Sequence, residues 1–145
     1  ACGIYISIAV CLLQGLESKL AYIQGLENIK TIYSAAEYTS ELYHFERIFS
    51  GEIANLPVDS IRSSGYVIDT LEASLWCLLN SSSYTQAVLT AVNLGGDTDT
   101  TAAVTGGLAG IYYGVDNIPS EWIDQIARKE DIIDLAARMD ADVYM

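Results

Sequence analysis

The chain has 145 residues, just over half of them hydrophobic and 18% charged, long enough to bury one core and too apolar to remain disordered. A net charge of −12 argues against nucleic acid, because no basic stripe is present to neutralise phosphates. It suits solubility, and also a site that collects cations. Two prolines and no Ser/Gly/Pro tract leave nothing to act as a linker, so residues 1–145 are expected to form a single helical domain. The three cysteines, Cys2, Cys11 and Cys77, form no CxxC pair and are expected as free thiols in a reducing, cytoplasmic compartment. The early apolar run from Ile4 to Leu13 is too short to span a bilayer and follows no basic segment, so no membrane partner is expected.

Taken in order, residues 2–14 place Tyr5, Ile8, Ala9, Leu12 and Leu13 near helical spacing, with Gly15 as the stop. A second helix is predicted over 17–24, breaking near Gly25. A long amphipathic third follows over 27–50, with Ile29, Ile32, Tyr33, Ala36, Leu42, Phe45, Ile48 and Phe49 as buried candidates and a division at Ser34 or Thr39. His44, the single histidine, sits on that helix and reads as a surface or capping residue. Residues 51–64 form a loop around Pro57, and Ser63-Ser64-Gly65 supplies turn and capping chemistry. Residues 66–79 are apolar almost all round, which predicts a buried helix. Ser83 is placed to N-cap the next helix, 84–93, with Gln86 at the capping-box position.

Residues 100–113 form the predicted core helix. Its three internal glycines, Gly106, Gly107 and Gly110, cost roughly 1 kcal/mol each in propensity. Ridges of small residues (Ala102, Gly106, Gly110; Ala103, Gly107) suggest that close backbone approach offsets this. Gly114 ends the helix. Pro119, Ser120 and Glu121 open a further one carrying Trp122, Ile123 and Ile126. After polar residues 128–131, Ile132, Ile133, Leu135, Ala136 and Met139 give a last amphipathic helix. No strand alternation is seen, so the fold class is all-α.

The chemistry concentrates at Gly95-Gly96-Asp97-Thr98-Asp99-Thr100-Thr101. Two aspartates inside one helix two positions apart point about 200° away from each other, whereas in an extended lead-in turn they converge. Gly95-Gly96 makes such a turn easy and lets a ligand approach the backbone. Carboxylates and hydroxyls are hard ligands, suited to Mg²⁺, Mn²⁺ or Ca²⁺; the competing reading is that Asp97 and Asp99 only cap a helix. An EF-hand loop fails, since Ala102 and Leu108 stand where it needs Gly and Glu. A haloacid-dehalogenase-type DxDxT motif fails for want of a preceding hydrophobic strand. Asp140 and Asp142 form a second Asp-x-Asp, read as solvated tail.

Residues 91–114, with Ser64-Gly65-Tyr66-Val67-Ile68-Asp69-Thr70-Leu71-Glu72-Ala73-Ser74-Leu75-Trp76 before them and Ile118-Pro119 and Trp122 after, closely resemble the C-terminal signature of the ADP-ribosylglycohydrolase family. The resemblance implies an orthogonal multi-helical bundle. It also implies a hydrolase with two divalent ions, magnesium or manganese, that cleaves the glycosidic bond of ADP-ribosylated substrates. It assigns Asp97, Asp99 and Thr100 as metal ligands, with Asp99 bridging, and Gly65, Tyr66 and Val67 as contacts to the distal ribose and adenine; Gly95 and Gly96 complete the substrate loop. The family's other ligands come from an upstream Thr-Asp-Asp-Thr type motif, and no adjacent Asp-Asp pair occurs here; the acidic catalytic group is missing with it. The chain is therefore expected to be the C-terminal part of a larger catalytic domain, with a partial metal site. It is expected to be inactive alone and to associate with itself or with the missing N-terminal segment. The alternative is a non-catalytic structural or ADP-ribose-binding relative.

Overall fold

A computed structural model of the chain describes residues 1–35 and 38–143. Among them are eight α-helices: α1 (Cys2–Leu13), α2 (Ser18–Tyr33), α3 (Glu46–Phe49), α4 (Val67–Leu79), α5 (Tyr84–Asn93), α6 (Thr98–Tyr113), α7 (Ser120–Ile123) and α8 (Lys129–Val143), with no strand. Short 3-10 turns join several of them. None of these helices is long and apolar enough to cross a membrane.

The core lies where α1, α2, α4, α5 and α6 meet. The predicted break at Gly25 does not occur. α2 runs straight through it, and a Cβ placed there would meet Ile8 Cα and N, both at 2.9 Å; Gly25 is the crossing point of α1 and α2. Ser7 Oγ fixes the same crossing by donating to the Gly25 carbonyl at 2.8 Å. The long third helix divides as well: α2 ends at Tyr33 with Ser34 as its C-cap, and Thr39–Phe45 is 3-10 helix before α3. Ile29 and Ile48 are buried as expected, but Ile32 and Leu13 are exposed; Ala36 lies outside the described residues. α1 instead buries Ile4, Ile8 and Cys11 completely, a stripe at the i, i+4, i+7 spacing of one helix face.

α4 is the helix packed on nearly every side, burying residues from Thr70 to Leu79 apart from Trp76. α6, the predicted centre, buries only Thr101, Thr105, Leu108 and Ala109, and it packs on α4, α5 and α1. Its glycines admit rings rather than a bare backbone. A Cβ on Gly107 would clash with the Tyr5 hydroxyl, and one on Gly106 would lie 3.4 Å from the Tyr84 hydroxyl. Gly15 and Gly114 end their helices with φ near +83°, a conformation glycine adopts at little cost. Ser83 caps α5 by accepting from the Gln86 amide at 3.1 Å, while Gln86 Oε1 reaches back to the amide of Ser82, not Ser83. The apolar residues of α8, Ile132, Ile133, Leu135 and Met139, are all exposed. Cys2 is an exposed free thiol; Cys11 and Cys77 are buried ones.

Candidate functional site

Two loops meet at the heads of α4 and α6. In the first, Ser64 Oγ accepts from the Tyr66 amide at 3.1 Å and donates to Asp69 Oδ2 at 2.7 Å. Thr70 Oγ1 donates to the carbonyls of Ser64 and Tyr66. These bonds leave Tyr66 and Val67 roughly half exposed, at 53% and 54%. In the second, Gly95 and Gly96 take φ of +80° and +69°, turning the chain from α5 into α6. The loops are tied through Ser63: its carbonyl accepts from the Asp97 amide at 2.7 Å, and its hydroxyl donates to the Gly95 carbonyl.

α6 starts at Thr98, earlier than predicted, so Asp97 occupies the N-cap position and Asp99 lies in the first turn. The extended lead-in turn is therefore absent, yet the two carboxyls still come together. An N-cap residue is not helical, and its side chain hangs back over the first turn. Hydrogen bonding to the Asp97 side chain, with the amides of Thr100 and Asp99, holds the exposed Asp99 carboxyl below its ordinary value. A divalent cation placed beside two such carboxylates would offset their combined negative charge. Asp97 makes no capping hydrogen bond with its side chain. It points toward Gly65, where a Cβ would lie 2.9 Å from Asp97 Oδ2.

Beside the carboxylates runs a cleft of about 630 Å³, lined by Tyr5, Gly65, Val67, Thr70, Thr100 and Val104 among others. Grooves along α5 and beside the 3-10 segment of residues 39–45 are lined by none of the candidate site residues. His44 is also elsewhere, its ring centroid 3.7 Å from that of Tyr43.

The ADP-ribosylglycohydrolase family profile matches residues 1–144. The chain belongs to the ADP-ribosylglycohydrolase family. It is 48% identical over 92 residues to an ADP-ribosylarginine hydrolase of Serratia proteamaculans, an overlap covering 63% of this chain and 25% of that protein. Over 68 residues it is 41% identical to the ADP-ribosyl-[dinitrogen reductase] glycohydrolase of Rhodospirillum rubrum, covering 47% of this chain and 23% of the relative. A human ADP-ribosylhydrolase is 46% identical over 37 residues, 26% of this chain and 10% of the relative. The chain thus spans about a quarter of the length of the first two relatives.

Within this family member, Gly65, Tyr66, Val67, Gly95, Gly96, Asp97, Asp99 and Thr100 fall on the two loops and the first turns they lead into. Among the described residues no group of three His, Cys, Asp or Glu side chains is placed to hold a metal; the donors here are two carboxylates and a hydroxyl. Ser63 has no assignment in the sequence, where it reads as turn chemistry. The signal for it was the second glycine of the pair: Gly96 admits the Ser63 carbonyl, which a Cβ would meet at 2.5 Å. Gly95 has open space on its Cβ side.

Proposed function

We propose that this chain carries one side of a divalent-cation-dependent site that hydrolyses the glycosidic bond of ADP-ribosylated substrates. The observation that carries the reading is Asp97. It stands at the head of a helix, where an aspartate ordinarily caps, yet its carboxylate makes no capping bond and meets Asp99 beside Gly65. The half-buried Asp97 carboxylate, the exposed Asp99 carboxylate and the Thr100 hydroxyl form a hard-oxygen donor set that fits magnesium or manganese. They are too few to fill the coordination of two ions, so the remaining donors are assigned to a part of the protein beyond this donor set. When bound, the ions would lower the pKa of a coordinated water and orient ribose hydroxyls.

The chain's own residues do the holding. Tyr66 presents a half-exposed ring to an adenine face, and its neighbour Val67 lines the cleft. Gly95 leaves the backbone open to a ribose or diphosphate, while the missing side chain of Gly65 makes room for the Asp97 carboxylate. The relatives are named for ADP-ribosylarginine and for ADP-ribosylated dinitrogen reductase, and an ADP-ribosylated side chain is the substrate class proposed here. Titration calorimetry with Mn²⁺ on the wild-type chain and on Asp99→Ala tests the reading. Binding by the wild type and at least tenfold weaker binding by the variant is expected; identical titrations would restore the capping role. Release of ADP-ribose by this chain alone, with magnesium, is expected to be absent, because the donor set is partial.

A further inference from the structure

We infer that Ser63 is a positioning residue for the carboxylate pair, a role that rests on Asp97 and Asp99 being cation ligands. Ser63 is buried although it lies in a loop, with 8% of its surface exposed, and both of its polar handles are spent on the aspartate loop. Its carbonyl accepts from the Asp97 amide at 2.7 Å, and its hydroxyl donates to the Gly95 carbonyl. These bonds fall on either side of Gly96, so they set the direction in which the chain leaves the turn and where the Asp97 carboxylate hangs. Gly96 serves the same contact from the other strand of the loop pair: its φ of +69° and missing side chain let the Ser63 carbonyl close in. Ser63 also precedes Ser64 and Gly65, so the loop that carries the adenine and ribose contacts and the loop that carries the carboxylates are fixed to one another through this residue. Partners hydrogen-bonded to ligating groups typically govern metal affinity by about 10–100-fold; Ser63 holds the ligand's amide and the turn before it, not the carboxylate itself, so the low end of that range applies.

The test measures Mn²⁺ binding by water-proton relaxation on the wild-type chain, Ser63→Ala, Ser63→Thr and Asp99→Ala. Amide exchange at Asp97 is followed by NMR and the thermal midpoint by circular dichroism. Ser63→Ala removes only the hydroxyl bond. It is expected to bind manganese about tenfold more weakly, to exchange the Asp97 amide faster, and to unfold within a few degrees of the wild type. Ser63→Thr keeps the hydroxyl and is expected within about twofold of wild-type affinity. Gly96→Ala pushes the Ser63 carbonyl away from the opposite side; it is expected to show the same loss and decides the matter should Ser63→Ala fail to fold. Wild-type affinity in Ser63→Ala, or a Thr variant as weak as the Ala variant, overturns the role of Ser63 alone. A wild-type chain that takes up no more manganese than Asp99→Ala overturns the carboxylate reading, and the role of Ser63 with it.

Discussion

Gly25 offers the sharpest test of how the core is assembled, because replacing it with alanine sets two effects of known sign against each other. Within α2, alanine is favoured over glycine by roughly 1 kcal/mol. The added methyl, however, would sit 2.7 Å from Ile8 Cγ1 and 2.9 Å from Ile8 Cα and N. A rotamer change relieves only the first contact. The other two are backbone, so α1 must withdraw by about half an ångström to bring them to ordinary separations near 3.4 Å. That movement opens the packing around the fully buried Ile4 and Ile8 and stretches the Ser7–Gly25 hydrogen bond. Overpacking of this kind costs about 1–3 kcal/mol, at the upper end where backbone must move, and the helix-propensity gain leaves a net loss of about 1–2 kcal/mol. Gly110→Ala is the control. Its methyl would meet only Tyr84 Cε2 at 3.9 Å, so propensity should prevail and the chain should gain about 0.5–1 kcal/mol. Urea unfolding followed by far-UV circular dichroism gives both values from the midpoints. Shifts of the same sign, or a Gly25→Ala variant at least as stable as the wild type, would refute the assignment of Gly25 as a contact point.

Two further substitutions probe polar groups inside the fold. Arg47 Nη2 lies 3.0 Å from Glu72 Oε1, whose side chain is 8% exposed, while Arg47 itself is about half exposed. Arg47→Met strands that carboxylate, and about 2 kcal/mol is expected at neutral pH, below the usual range for a buried pair because the arginine is half solvated. Burial already holds the Glu72 carboxyl above its ordinary 4.5, against the pull of Arg47. With the folded pKa raised, protonation favours the folded state, and losing the arginine raises it further. The deficit of the variant is therefore full above the folded pKa and shrinks as pH falls toward 4.5; urea midpoints for both proteins at two pH values check this, and a deficit independent of pH contradicts it. Thr101 Oγ1 is buried with no hydrogen-bond partner among the described residues. Thr101→Val keeps the shape and removes the hydroxyl, so the midpoint should rise by the equivalent of about 1 kcal/mol; a fall would mean that the hydroxyl is bonded.

What could be read in the sequence was local. Helix ends followed from chemistry within a few residues, as at Gly15, Ser83 and Gly114, and the near-continuous apolar run of α4 announced its burial. What failed depended on partners distant in the chain. Gly25 reads as a helix breaker until Ile8 is seen against it, and the order of centrality between α4 and α6 cannot be counted from small residues whose neighbours are the rings of Tyr5 and Tyr84. The exposed stripe of α8 shows the same limit, since periodicity predicts a face but not whether this chain covers it. The candidate site residues were legible through a long family signature. Ser63 was not, because its role exists only once residues 32 positions apart, Ser63 and Gly95, are brought together.

The stretch from Gly95 to Thr101 faces two demands that ordinarily conflict. Starting a helix with an aspartate normally commits the carboxylate to the first free amides, and giving up that bond costs about 1 kcal/mol. α6 starts without it. The Asp97 amide is held by Ser63, the Asp97 carbonyl accepts from the Thr101 amide at 3.1 Å, and Thr101, Thr105, Leu108 and Ala109 bury one face of the helix. Because packing and a neighbouring loop secure the helix start, the carboxylate is free to meet Asp99 instead of serving its own helix. A capping rule left unused, next to compensation that makes its use unnecessary, is the arrangement expected where chemistry and not stability selects the side chain.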